Sequence, residues 1–254
     1  MAAEVTIIIP NYKTPELTRL CLRSIRKFTD RSKIKVLAVD NDSADESLEY
    51  LRRLDWITLI ERKTDGESGP EMHARALDEA MNLVDTPYVL VIHTDTIVIN
   101  SGWLEHLLKH IKADENIAGV GSWKLECVSP VKLFFKRLET AFRRLIGRKV
   151  LDREHYFRSH CALYKSAAVR ETRGFYDGDS AGISMFRILR EKNFLLPFIS
   201  SEDLCRYMIH FNHATMITNP REGDRKTAKD SARKKLRGQI SRFAAILEDS
   251  SLDH

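Results

Sequence analysis

Cysteine is scarce in this 254-residue chain: Cys21, Cys127, Cys161 and Cys205 are the only four. None stands in a CxxC pair, so the spacing supports neither a zinc knuckle nor a disulfide framework. No apolar run approaches the ~18 residues that a membrane-crossing helix needs. The opening Met1-Ala2-Ala3-Glu4 lacks a basic stretch followed by an apolar one. No secretory leader is expected, and a reducing cytoplasm is the simplest compartment. Glycine is sparse, at 11 residues, and forms neither GxGxxG nor GxxxxGK[ST]. The usual glycine-rich phosphate cradles of dinucleotide and P-loop folds are therefore absent.

What is present is an ordinary globular balance, 43% hydrophobic and 30% charged. A chain of this length buries a core that needs no metal or disulfide staple. The formal charge of +5 is unevenly placed. Residues 131–150 set seven bases, Lys132, Lys136, Arg137, Arg143, Arg144, Arg148 and Lys149, against Glu139. Residues 221–242 set nine bases against Glu222, Asp224 and Asp230, which leaves the remainder net acidic. In 131–147 the bases alternate with Leu133, Phe134, Phe135, Leu138, Phe142 and Leu145. This is the pattern of an amphipathic helix on an anionic membrane surface, or of a helix packed on the fold with a basic outer face. Neither segment carries a nucleic-acid-binding fold motif, and nucleic acid is not the expected partner.

Apolar runs at 5–9, 34–39, 57–60, 88–92 and 117–121 alternate with helical periodicity at 15–28, 45–53, 71–84 and 103–111. Short, fully apolar strands between amphipathic helices predict a mostly parallel α/β sheet covered on both faces. Thr14 is placed to cap the first helix, with Pro15 at its first position. Less regular structure follows: a strand at 158–164, helices at 166–171 and 182–192, and a terminal helix over 224–247. In open α/β sheets ligands bind beyond the carboxyl ends of the strands. That rule selects Pro10-Asn11-Tyr12, Asp40-Asn41-Asp42 and His93-Thr94-Asp95-Thr96. Without a glycine-rich cradle, a phosphate here calls for another neutralising group. A divalent cation on a strand-end carboxylate, Asp95, would supply it.

Three stretches, Ile7-Ile8-Ile9-Pro10-Asn11-Tyr12, Val39-Asp40-Asn41-Asp42-Ser43 and Val91-Ile92-His93-Thr94-Asp95-Thr96, in this order and spacing, resemble family 2 glycosyltransferases. The resemblance implies a Rossmann-like A-type fold with a C-terminal helical extension. It divides the chain into a nucleotide-sugar-binding half (1–122), an acceptor-binding and catalytic half (123–220) and a basic helical tail (221–254). It implies an inverting transfer from a nucleotide-diphosphate sugar to a hydroxyl of a glycan or lipid-linked glycan, as in bacterial surface polysaccharide synthesis. The enzyme would be cytoplasmic or peripheral on the inner face of the membrane.

By position, the resemblance puts Pro10, Tyr12, Asp40 and Asp42 at the base, Gly69 and His73 near the diphosphate and sugar, and His93, Thr94 and Asp95 at ribose and metal. His93 stands where the family's D-x-D signature has its first Asp. Asp95 is expected to bind Mn²⁺ or Mg²⁺ with a histidine from His210-Phe211-Asn212-His213, His213 being favoured. Within Arg173-Gly174-Phe175-Tyr176-Asp177-Gly178-Asp179-Ser180, Asp179 is the expected base that deprotonates the acceptor, and Asp177 the alternative. Because His93 and Ser180 replace acids, a non-catalytic nucleotide-sugar or glycan-binding partner is the competing reading.

Overall fold

The structure, a computed structural model, describes residues 2–127, 155–178, 181–220 and 229–254. The basic segment 131–150, Asp179 and Ser180 lie outside the described residues.

Strand β1 (Val5–Asn11) pairs in parallel with β2 (Ile34–Asn41) and with β4 (Tyr88–Ile92), and β2 pairs in parallel with β3 (Thr58–Arg62). Beyond β4 come β7 (Cys161–Lys165) and β6 (Gly119–Gly121), giving the order β3-β2-β1-β4-β7-β6. Only β7 runs against its neighbours. The fold is therefore the α/β, mostly parallel sheet that the strand pattern predicts. The pairing of β1 with β4 ends at Ile8–Val91, so the missing N–H of Pro10 falls past that ladder.

Alternation along β1 feeds two cores. Ile7 and Ile9 pack with Leu17, Leu20 and Ile25 of α1 (Pro15–Phe28) and with Trp103 and Leu107 of α4 (Trp103–Ile111). Ile8 faces the other way, toward Ala74, Leu77 and Ala80 of α3 (Gly69–Met81). Helix α3 opens on a capping box between Ser68 and Glu71, and α2 (Glu46–Arg52) is capped by Asp45, which accepts from Ser47 N at 2.9 Å. Thr14 occupies the N-cap position of α1 without capping it. Its hydroxyl turns instead to Asn11 Oδ1 (3.3 Å) and Thr94 Oγ1 (3.1 Å), tying the exit of β1 to that of β4.

Two strands escape the sequence pattern. β5 (Thr96–Val98) and β8 (Met208–His210) form a separate antiparallel pair in which Thr96 faces His210. Three residues each is too short for a readable period. The second half contributes α5 (Ser166–Arg170), α6 (Ile183–Glu191), α7 (Ser201–Leu204) and α8 (Ala214–Thr218). The expected terminal helix is broken among the described residues into α9 (Asp230–Ile240), a 3₁₀ turn at Ser241–Phe243 and α10 (Ala244–Leu247). A further turn, Ser250–Asp253, returns to α1, where Arg23 forms a bidentate pair with Asp253 at 2.8 and 2.5 Å.

One expectation is overturned. Cys127 and Cys205 form a disulfide across 78 residues of sequence. Local spacing cannot reveal a pairing that depends on the chain returning from β7 to α7. Cys21 and Cys161 are buried free thiols. No helix among the described residues is long and apolar enough to cross a membrane.

Candidate active site

The carboxyl ends of β1, β2 and β4 meet in a buried polar network. The Asn11 amide donates to Asp40 Oδ1 at 2.6 Å, to Ser47 Oγ at 2.8 Å and to Ser43 Oγ at 3.2 Å. Its Oδ1 accepts from Thr18 Oγ1 at 2.6 Å. Asp40 Oδ2 accepts from Ser43 N at 2.9 Å. Asp40 is thus buried with both oxygens engaged by the protein, and it shapes the β2 exit from beneath. Asp42, in the left-handed region at φ 57°, reaches outward to Lys63 Nζ at 2.8 Å. Pro10 is buried, while Tyr12 is half-buried with the Lys13 ammonium 5.3 Å from its ring centroid.

Past β4 the character changes from amides and hydroxyls to imidazoles. His73 comes from the second turn of α3, one turn beyond Gly69 at the helix start. His93 follows β4, and the two rings meet edge to face with centroids 4.8 Å apart. Ser159, just before β7, bridges them: its Oγ lies 2.7 Å from His93 Nε2 and 2.9 Å from His73 Nε2. His160 stacks on His210 at 4.8 Å and holds Ser122 Oγ through Nε2 at 2.8 Å.

Asp95 lies at the centre of this group, only 4% exposed. His210 Nε2 stands 3.1 Å from its Oδ1, and His93 Nδ1 stands 3.7 Å from the same oxygen. Neither contact has hydrogen-bond geometry, and Asp95 Oδ1 is left without a hydrogen-bond partner. A buried carboxylate oxygen without a partner is costly, and two convergent imidazoles around it make a cation the fitting occupant. His93, Asp95 and His210 offer ligand atoms all within 4.8 Å of one another. Burial works to raise the Asp95 carboxyl, but His210 and His93 beside it outweigh burial and hold it below the usual range. Burial lowers His73 to about 4, and it drives His93 and His160 well below the ordinary histidine value, assisted by their neighbouring imidazoles. His73, His93 and His160 therefore present neutral rings beside the Asp95 carboxylate at neutral pH, and a neutral ring offers the lone pair that ligates metal.

The structure brings together His73, His93, Thr94 and Asp95 of the sequence-selected residues. It does not bring His213, which is exposed at φ 64° before α8, outside the cluster. His210 stands at Asp95 instead, because β8 pairs with β5 and Phe211 N donates to Asp95 O at 2.8 Å. Ser159 was missed by sequence reasoning, since a lone serine in a loop carries no pattern. Asp177 is exposed and lines a groove of about 510 Å³ with Glu171, Arg173, Arg187 and Glu191, which includes no member of the histidine cluster.

The loop before Asp177 is held by α3. Asp78 accepts from Phe175 N at 2.6 Å and Tyr176 N at 2.9 Å, and the Arg75 guanidinium lies 4.5 Å from the Tyr176 ring centroid. Gly174, at φ +91°, permits this approach, since a Cβ there would stand 2.5 Å from Asp78 Oδ1.

Known structures share the fold. A mannosyltransferase from Pyrobaculum calidifontis, solved in complex with GDP-Man and Mn²⁺, is 21% identical with a TM-score of 0.58, over 78% of this chain and 55% of that one. TarS 1–349 from S. aureus is 14% identical with a TM-score of 0.56, over 97% of this chain and 71% of that one. At these identities the likeness is one of fold, and this chain spans little more than half of the mannosyltransferase chain. No curated protein sequence matches it. The sequence profile described as glycosyl transferase family 2 matches residues 6–173, from β1 through the strand exits to β7, and His210 lies beyond the matched stretch. With about two-thirds of its length matched, the chain belongs to glycosyl transferase family 2.

Proposed function

We propose that the chain transfers a sugar from a nucleotide-diphosphate donor to an acceptor hydroxyl, with inversion at the anomeric carbon. The observation that carries this reading is the unpartnered, buried Asp95 Oδ1 facing His93 and His210 at the strand exits. A divalent cation held by these three residues would neutralise the donor diphosphate and stabilise it as a leaving group. Tyr12 and Asp42 flank the proposed base pocket, and Asp40 holds its floor through Asn11 and Ser43. Gly69 and His73 border the proposed diphosphate and sugar site, and Thr94 fixes the β4 exit through Thr14.

Residues 1–122 would form the donor half and 123–220 the acceptor half. Asp179 is proposed as the base that takes the acceptor proton, with Asp177 as the alternative. Asp78 and Gly174 support this by anchoring the turn that leads to both. The bases of 131–150 favour an acceptor at an anionic membrane surface, such as a lipid-linked glycan in bacterial surface polysaccharide synthesis.

The test is a thermal-shift panel of UDP-, GDP-, dTDP- and CMP-sugars, each with Mn²⁺ and with EDTA. A ligand that binds the folded state raises the melting temperature by mass action. A shift with one nucleotide class, lost in EDTA, is the expected result. No shift with any donor would remove the donor assignment. Binding without hydrolysis or transfer would favour the non-catalytic partner, a reading motivated by His93 in place of an acid.

A further inference from the structure

Arg158 is exposed, and among the described residues it forms no ion pair. Its contacts are aromatic instead. The guanidinium lies 5.3 Å from the ring centroid of Trp123 and 5.3 Å from that of Tyr156, and Nη1 donates to Tyr156 Oη. Both distances are within cation–π range. Tyr156 is buried and meets the half-buried Trp123 edge to face, with centroids 5.3 Å apart, so the two rings brace each other. The Arg158 backbone is tied down as well, its N–H donating to Ser122 O at 3.0 Å. An exposed arginine ordinarily loses rotamer freedom when it takes a ligand, and a guanidinium already laid on two rings loses less. Only Nη1 has a protein acceptor among the described residues, so the rest of the donor fork is open to the paired oxygens of an oxyanion.

The place of this arginine gives the anion a role. Arg158 immediately precedes Ser159, whose Oγ touches His93 and His73. Trp123 immediately follows Ser122, whose Oγ meets His160. Because β7 runs against β4 and β6, its start lies at the same sheet edge as their exits. Along that edge the order is β3-β2-β1-β4-β7-β6. Tyr12 and Asp42, which flank the proposed base pocket, leave β1 and β2 on one side of Asp95. Arg158 and Trp123 stand at β7 and β6 on the other. A donor laid from the base pocket to Asp95 leaves the Arg158 side to the acceptor.

We infer that Arg158, held on Trp123 and Tyr156, binds an oxyanion of the acceptor, a phosphate or a carboxylate carried close to the hydroxyl that receives the sugar. The acceptor assignment rests on the proposed transfer, whereas the anion site does not. The test is calorimetry on the full chain in EDTA, with glucose 6-phosphate, glucuronate and glucose as probes. EDTA keeps a metal-bound phosphate out of the reading. One of the two anions is expected to bind about tenfold or more tightly than glucose, and the tighter one names the group. That preference should shrink as salt is raised. Arg158→Gln, at an exposed position, is expected to keep its Tm and lose the preference. Arg158→Lys, which keeps the charge without the fork, should lose most of it. UDP and GDP with Mn²⁺ are expected to bind Arg158→Gln as they bind the wild type. Anions bound no better than glucose, or an unchanged preference in folded Arg158→Gln, would overturn the anion site. A matching loss of UDP or GDP affinity would move Arg158 to the donor and overturn the acceptor assignment. If Arg158→Gln does not fold, an unchanged preference in Trp123→Leu, which removes one ring beneath the guanidinium, overturns the site. The probes need neither donor nor metal, so a silent donor panel would remove the transferase reading without altering this result.

Discussion

His210 reaches Asp95 through strand pairing: β8 sets His210 opposite Thr96, and its Nε2 comes to 3.1 Å from Asp95 Oδ1. The same strand leaves His213 three residues beyond, exposed at the start of α8. His210→Ala is therefore expected to abolish metal-dependent donor binding, as is Asp95→Asn, while His213→Ala retains it. At a donor concentration of about 100 times Kd the wild-type chain should gain about 2.7 kcal/mol. For this size that corresponds to a rise of roughly 5–10 °C in Tm. A retained, EDTA-sensitive rise in both Asp95→Asn and His210→Ala would remove them from the site.

Asn11 carries the polar floor below the strand exits. Its side chain satisfies Asp40, Ser43, Ser47 and Thr18 at once, in a region sealed from water. Asn11→Ala strands several buried groups and should cost on the order of 3 kcal/mol or more. Urea denaturation would report this as a lower midpoint with an unchanged slope. A loss below about 1 kcal/mol would show that water replaces the amide.

The C-terminal turn is fastened by charge. Arg23, only 6% exposed, pairs with Asp253, which also accepts from Tyr50 Oη at 2.7 Å, and it donates to the Leu247 carbonyl. Burial works to raise the Asp253 carboxyl, but the hydrogen bonds from Arg23 and Tyr50 outweigh it and lower its value in the folded chain. The stabilisation is then present above the unfolded carboxylate value of about 3.9 and is lost as pH falls below it. Melting curves between pH 5 and pH 3 should fall more steeply for the wild type than for Asp253→Asn. Asp253→Ala, which leaves Arg23 buried without its partner, should cost about 3–5 kcal/mol at pH 7.

The Cys127–Cys205 disulfide closes a long loop around β7, α5 and α6. On chain-entropy grounds a loop of this length stabilises by about 4–5 kcal/mol. Reduction, or Cys127→Ser, should lower Tm by on the order of 10 °C. Thiol titration of the unfolded, unreduced chain should find two thiols, Cys21 and Cys161. Four thiols would show that the bond does not form.

Sequence reading reached the sheet because its signals are local. Val5-Thr6-Ile7-Ile8-Ile9 favours a strand through its β-branched residues, and helix periodicity separates it from the next strand. The order of those elements, with polar residues at each exit, is enough to place Asp40, His93 and Asp95 at the carboxyl edge of the sheet. Which second histidine faces Asp95 was not legible, since β5 and β8 are three residues each and show no period. Ser159 was hidden for a related reason, as its partners His73 and His93 come from α3 and the β4 exit.

The sequence by itself determined the strand-helix alternation, the two-sided core and the acidic strand exit at Asp95, because propensity and burial act within a few residues. Tertiary structure alone decided the convergence of His73, His93, His160 and His210, the choice of His210 over His213, and the joining of Cys127 to Cys205. Each of these depends on chain segments far apart meeting across the sheet, and their register is set by packing and backbone pairing, which leave no periodic trace in the residues they bring together.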